Sequence, residues 1–179
     1  AFNFNALLDA PFQGVYPLSA VKSYAQGVYS ICVPSGQTYV PGQYDPAAGI
    51  MLASGSGSLS FGHVMSYLKI TVTGSGSEKI QFVSVSARGG EDLSGTFTPV
   101  FGAAPSLTGG TGGNAVTLDC GAAGVSLGTE LIIPIPARTL ASGLSVTVRT
   151  TDKKFCTMTS SASFAPVAGR IYKTSFAFE

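Results

Sequence analysis

The feature that most constrains this chain is period-two alternation of apolar and polar residues, cut into short segments by glycine. In Leu144-Ser145-Val146-Thr147-Val148-Arg149 the apolar side chains share one parity and the polar ones the other. In an extended chain that parity separates two faces, so the segment reads as a half-buried antiparallel strand. Val116, Leu118 and Cys120 repeat the pattern. Residues 80–87, 95–101 and 170–178 are further strand candidates, rich in β-branched or aromatic residues and bounded by Gly, Asp or Pro. Leu131-Ile132-Ile133-Pro134-Ile135-Pro136 is apolar on both parities. Its prolines cannot donate to a ladder, which predicts a sheet edge or a strand end.

Three glycine-bearing segments separate these candidates: Gly89-Gly90-Glu91-Asp92, Gly109-Gly110-Thr111-Gly112-Gly113-Asn114 and Gly121-Ala122-Ala123-Gly124. They read as hairpin connections in which glycine supplies positive φ. Strands at intervals of about ten residues with such turns predict an all-β sandwich architecture. One stretch breaks the pattern. Leu59, Phe61, His63 and Met65 share one parity, whereas Leu68, Ile70 and Val72 share the other, which predicts a bulge or a helical turn between Met65 and Leu68.

Charge excludes several functions. Only 11% of residues are charged, with ten basic against nine acidic and no Lys/Arg run, so no footprint for a phosphate backbone exists and nucleic acid is not an expected partner. No stretch has the roughly 18 to 20 uncharged apolar residues of a membrane-spanning helix, and residues 1–5 lack the basic start of a signal peptide. Residues 1–78 carry two basic and three acidic side chains, whereas 79–179 carry eight and six. Gly74-Ser75-Gly76-Ser77 separates these parts and is either an interdomain joint or a loop inside one sandwich.

Catalytic patterns fail on context. Gly124-Val125-Ser126-Leu127-Gly128 matches a nucleophile elbow, but that motif needs a strand-to-helix turn and a later histidine, and the sole histidine is His63. Ser19 to Lys22 and Ser66 to Lys69 match S-x-x-K without S-D-N or K-T-G. The carboxylates are scattered singly apart from Glu91-Asp92, and tryptophan, the strongest sugar-stacking platform, is absent. One histidine cannot supply the usual metal ligand set, so His63 is read as a packing or interface residue. No enzyme activity, metal or cofactor is expected. Cys32, Cys120 and Cys156 have no metal-ligand spacing and an odd count, which predicts buried thiols. The alternative is a Cys120 to Cys156 bridge, which requires an oxidising compartment.

The order of segments carries a resemblance. Pro34-Ser35-Gly36-Gln37, then Tyr44-Asp45, Met51-Leu52-Ala53 and the run from Leu59 through His63 to Val72, resembles the fimbrillin-like proteins of Bacteroidales. The run L-x-F-x-H-x-M-S-x-L-x-I-x-V is the most specific match and looks like the last strand of that family's N-terminal domain. Residues 80–88, 131–136 and the closing Ala168-Gly169-Arg170-Ile171-Tyr172 continue the likeness, which covers residues 28–179.

That resemblance implies two tandem transthyretin-like β-sandwich modules, here residues 1–76, short or incomplete, and 77–179. It implies an extracellular fimbrial subunit or adhesin at the outer membrane surface, derived from a lipoprotein precursor whose anchor would lie upstream of Ala1. Its partners would be other fimbrial subunits, and surface receptors or glycans. Assembly in the family is attributed to strand exchange, and Tyr172, Thr174, Phe176 and Phe178, which share one face, form the candidate donor row. Without the resemblance, the same row reads as an ordinary core strand of its own subunit. A cell-surface glycan-binding module is the alternative function; a concave site with exposed Tyr or Phe would mark it.

Overall fold

The computed structural model describes residues 11–178. In chain order its strands are β1 (Phe12–Tyr16), β2 (Val21–Ala25), β3 (Val28–Val33), β4 (Gly36–Thr38), β5 (Met51–Gly55), β6 (Gly62–His63), β7 (Met65–Thr73) and β8 (Lys79–Ala87). They continue as β9 (Gly95–Val100), β10 (Ser106–Thr111), β11 (Ala115–Asp119), β12 (Val125–Ser126), β13 (Glu130–Pro136), β14 (Leu144–Thr150), β15 (Phe155–Ser160) and β16 (Ile171–Ala177). The only helical elements among the described residues are 3-10 turns at Leu18–Ala20 and Pro46–Ala48. The fold is all-β.

Four sheets face one another in two pairs. Sheets β1-β5-β6 and β10-β9-β3-β2 enclose a cluster that includes Ile31, Val33, Leu52, Met65 and Phe97. Sheets β15-β14-β8-β11-β4, with β12 beside β8, and β13-β7-β16 enclose a second, larger cluster containing Ile70, Val72, Val83, Val85, Leu118, Leu131, Ile133 and Val148. Each sandwich buries one apolar parity per sheet, as the alternation requires.

The two sandwiches are interlaced. The β9-β10 hairpin follows β8 in the chain, yet β9 pairs with β3 of the first sandwich, Ile31 opposite Phe97. Strand β4 precedes β5 but pairs in parallel with β11 of the second, Gln37 opposite Leu118. Residues 74–78, which include Gly74 to Ser77, connect β7 to β8, two strands in facing sheets of the second sandwich.

Strand β7 explains the parity change. The bulge or turn expected between Met65 and Leu68 is not there: β7 pairs with β13 without a register shift from Met65 opposite Pro136 to Thr71 opposite Glu130. Instead, Met65 and Tyr67 project from one face into the first cluster, while Leu68, Ile70 and Val72 project from the other into the second. The expectation assumed a strand buried on one face. A regular strand lying between two cores buries opposite parities along its length.

The proline-bearing β13 is an edge strand, as its composition predicts, and among the described residues it pairs only with β7. All three glycine segments differ from expectation. Gly121 to Gly124 joins β11 to β12, which both pair antiparallel with β8 and so run the same way, Asp119 opposite Phe82 and Val125 opposite Ile80, and it is an excursion between them, not a hairpin turn. Gly109 (φ +67°) and Gly110 (φ +134°) lie inside β10, where the register with β9 shifts between Thr108 and Thr111, so they form a bulge. A Cβ on Gly110 would press on Asp92 and Phe97, which leaves that site to glycine. Residues 88–94, including Gly89-Gly90, carry the chain from the second sandwich to the first and do not close a hairpin.

Candidate functional site

The C-terminal strand occupies an unusual place. β16 pairs in parallel with β7, from Ile171 opposite Tyr67 to Ala177 opposite Thr73, and is otherwise the free edge of its three-stranded sheet among the described residues. Its even-numbered residues turn inward: Tyr172, Phe176 and, just beyond the strand, Phe178 are half-buried against the larger core. Thr174 is half-buried in the same row, while Ile171, Lys173, Ser175 and Ala177 are exposed. Tyr172 meets Phe164 edge-on at 5.0 Å between centroids, and its hydroxyl accepts the Val167 N–H at 3.0 Å.

The second sandwich is closed differently on its two sides. On the β4/β13 side the buried Gln37 side chain donates Nε2–H to the Pro134 carbonyl at 2.8 Å, tying one sheet edge to the other. On the β15/β16 side the cross-sheet polar contacts are weak sulfur ones: Thr174 Oγ1 to Met158 Sδ at 4.0 Å and Cys156 Sγ to the Ala177 carbonyl at 3.5 Å. There a groove of about 310 Å³ opens toward Leu68, Ile70, Val146 and Met158.

A second concavity, of about 560 Å³, lies where the sandwiches meet. The end of β1 supplies Tyr16, the loop after β4 supplies Gln43 and Tyr44, β6 and β7 supply His63 and Tyr67, and the chain entering β16 supplies Gly169. Asp45 fixes the Tyr44 loop, its Oδ2 accepting Thr38 N–H at 2.7 Å and its Oδ1 accepting Ala47 N–H at 2.9 Å. Tyr44 and Tyr67 pack at 4.7 Å between centroids and 39°. The Tyr67 hydroxyl and His63 Nδ1 share a 2.9 Å hydrogen bond, the rings meeting edge-on at 5.8 Å. Burial, with the Tyr44 hydroxyl nearby, pushes the Tyr67 pKa above its ordinary value, so the hydroxyl keeps its proton. No sequence signal singled out this cleft, because its residues converge only through long-range pairing.

The remaining motifs are accounted for by placement. Ser126 lies in β12, where it accepts a 2.7 Å hydrogen bond from Lys79 Nζ, not on a strand-to-helix elbow. Ser66 is buried and donates to the Arg170 carbonyl, while Lys69, of opposite parity on β7, pairs with Glu130 at 2.6 Å. All three cysteines are free, which removes the bridge alternative, and they are half-buried where full burial was expected. Burial, with Asp119 adjacent, pushes the Cys120 thiol up to about 11. Among the described residues no three His, Cys, Asp or Glu side chains gather as a metal site, and no helix is long and apolar enough to cross a membrane.

Comparison with known proteins gives the lineage. No curated protein matches the sequence. Among solved structures, a Bacteroides ovatus protein described as a "putative cell adhesion protein" matches with a TM-score of 0.56 at 14% identity, over 100% of this chain and 69% of its own. A Bacteroides uniformis protein with the same description matches at 0.56 and 19% identity, over 93% and 67%. At these identities the likeness is one of fold. The sequence model of the fimbrillin-like family matches residues 46–179, more than half of the chain, from the 3-10 turn after Tyr44 through the C-terminal strand. The chain belongs to the fimbrillin-like family.

Proposed function

We propose that this protein is a surface-exposed fimbrial subunit, or an adhesin associated with a fimbria, that joins neighbouring subunits by exchange of its C-terminal strand. One observation carries the reading: β16 is an edge strand held by a single parallel ladder, with a half-buried aromatic row over an open apolar groove. A strand so held keeps one set of N–H and C=O groups unpaired and can be replaced by an equivalent segment of another copy, at little net cost in ladder bonds. Tyr172, Thr174, Phe176 and Phe178 are then the donated row, and the groove lined by Leu68, Ile70 and Val146 is the receiving surface. The division into modules 1–76 and 77–179 belongs to the same proposal, with β7 serving the second module and β9-β10 the first. The family membership and the two adhesion-related folds support a role at the cell surface in attachment rather than in catalysis.

Thr174 and Met158 mark a lock for this joint. Their side chains face each other across β16 and β15, Thr174 Oγ1 lying 4.0 Å from Met158 Sδ, so Thr174→Cys with Met158→Cys, in a Cys156→Ser background, sets two thiols on facing inward positions. Oxidised double-cysteine protein, its disulfide verified by mass spectrometry, is expected to remain monomeric and to resume assembly on reduction, while either single cysteine variant assembles under both conditions. Assembly by the oxidised, disulfide-verified protein would contradict donation of β16.

A further inference from the structure

We infer that the cleft between the sandwiches, walled by Tyr16, Tyr44 and the exposed His63 and floored by the buried Tyr67, is a binding site for a neutral carbohydrate. The inference goes beyond the assembly reading and does not depend on strand exchange.

Three properties of the cleft select this ligand class. First, it combines aromatic faces with polar tips, which suits a molecule that is apolar on its C–H faces and hydroxylated at its rim. Tyr16 is the accessible platform, with 47% of its surface exposed, whereas Tyr67 is 4% exposed and contributes chiefly its hydrogen-bonded hydroxyl. Second, among the described residues no Lys, Arg, Asp or Glu lines the cleft, so no side chain of fixed charge is there to neutralise a sulfated, phosphorylated or carboxylated ligand. Third, the polar groups are held in place before any ligand arrives. His63 is fixed through Nδ1 by the Tyr67 hydroxyl, and the Tyr44 loop is fixed by both oxygens of Asp45. Pre-set groups reduce the ordering cost of binding, which matters for a weak ligand such as a sugar.

Gly169 shapes the same space. Its φ of +75° is left-handed, and a Cβ there would stand 3.6 Å from the His63 ring, inside the cleft. A glycine at this position therefore leaves the histidine edge open to a ligand hydroxyl.

A proline-rich peptide is the competing occupant, since such segments dock in tyrosine-lined grooves. Those grooves use a succession of exposed aromatic ridges. Among the described tyrosines of this cleft only Tyr16 is exposed, Tyr44 being half-buried and packed on Tyr67, so the cleft offers one platform instead of several.

The test is isothermal calorimetry on the monomer with lactose, maltotriose, mannotriose, fucose and chitotriose, and with a decaproline peptide. Saturable binding to at least one sugar is expected, weakened roughly tenfold by Tyr16→Ala, the size of effect one aromatic platform supplies. Tyr16→Ala alters an exposed side chain, and an unchanged unfolding midpoint verifies its fold. His63→Gln reads the exposed wall of the site in the same way. Absence of binding to all five sugars, undiminished binding by Tyr16→Ala, or binding of decaproline alone would each overturn the inference. Because the measurement uses monomer, its failure leaves the disulfide-lock experiment untouched, and the converse holds as well.

Discussion

Strand β7 allows the interlacing of the two sandwiches to be tested by paired truncations. Met65 and Ile70 are both fully buried, but Met65 enters the smaller core and Ile70 the larger. Truncating either to Ala removes three heavy side-chain atoms and leaves a cavity, which costs about 2–5 kcal/mol. For a chain of this length each kcal/mol lowers the melting temperature by about 2–4 °C, so a loss near the middle of that range lowers it by roughly 7–14 °C. The two Cα atoms are about 17 Å apart along an extended strand, so the losses should add within about 0.5 kcal/mol. Shared strands make the unfolding common: loss of the larger core frees one face of β7 and the β4 pairing, and loss of the smaller core frees β7 from the other side. Differential scanning calorimetry should therefore show one transition, lowered by Met65→Ala and by Ile70→Ala alike. Two resolved transitions, with each variant moving only its own, would refute the interlacing. A near-zero cost for Met65→Ala would refute burial of both faces of β7.

Other consequences follow from single side chains. Phe176→Ala should destabilise the monomer by about 1.5–2.5 kcal/mol, half the fully buried value, while Ser175→Ala on the outward parity stays within about 0.5 kcal/mol, as read by urea denaturation; equal effects would place the wrong row inward. With its thiol pushed up to about 11, Cys120 should react with iodoacetamide at pH 8 roughly a hundredfold more slowly than an unperturbed cysteine, accelerating as pH rises, by peptide mass spectrometry. Glu91 accepts hydrogen bonds from its own N–H and from Ala141 N–H, the latter at 2.6 Å, which hold its carboxyl below the usual range. Its stabilising contribution is complete above the unfolded value near 4.3 and is lost as pH falls through the lower folded value. The urea midpoint of Glu91→Gln should accordingly lie below that of the parent at pH 7, with the gap narrowing by pH 3.

What the sequence made legible was whatever one strand's own parity encodes. The inward row Tyr172-Thr174-Phe176, the alternation of Leu144 to Arg149 and the edge position of Leu131 to Pro136 all depend on local pattern and proline chemistry, and each appears in the fold. The parity change at residues 65–68 was visible but misread, because alternation reports which residues are buried and not how many cores bury them. Strand β2 gives almost no signal, since four of its five residues are exposed; its hairpin with β3 is announced only by Gln26-Gly27, both at positive φ. The cleft was illegible for a different reason. Tyr16, Tyr44, His63 and Gly169 are separated by long stretches of chain and meet only after β5 pairs with β1 and β16 with β7. Long-range pairing of that kind leaves no mark in local composition.

The most direct test of the assembly claim is electrophoresis of the native cell-surface fraction in SDS, unheated and boiled, followed with an antibody against this chain. Exchanged strands are kinetically trapped by a full ladder and a filled groove, so a ladder of multimers that collapses on boiling is expected. A single monomer band in both lanes would contradict subunit joining by β16.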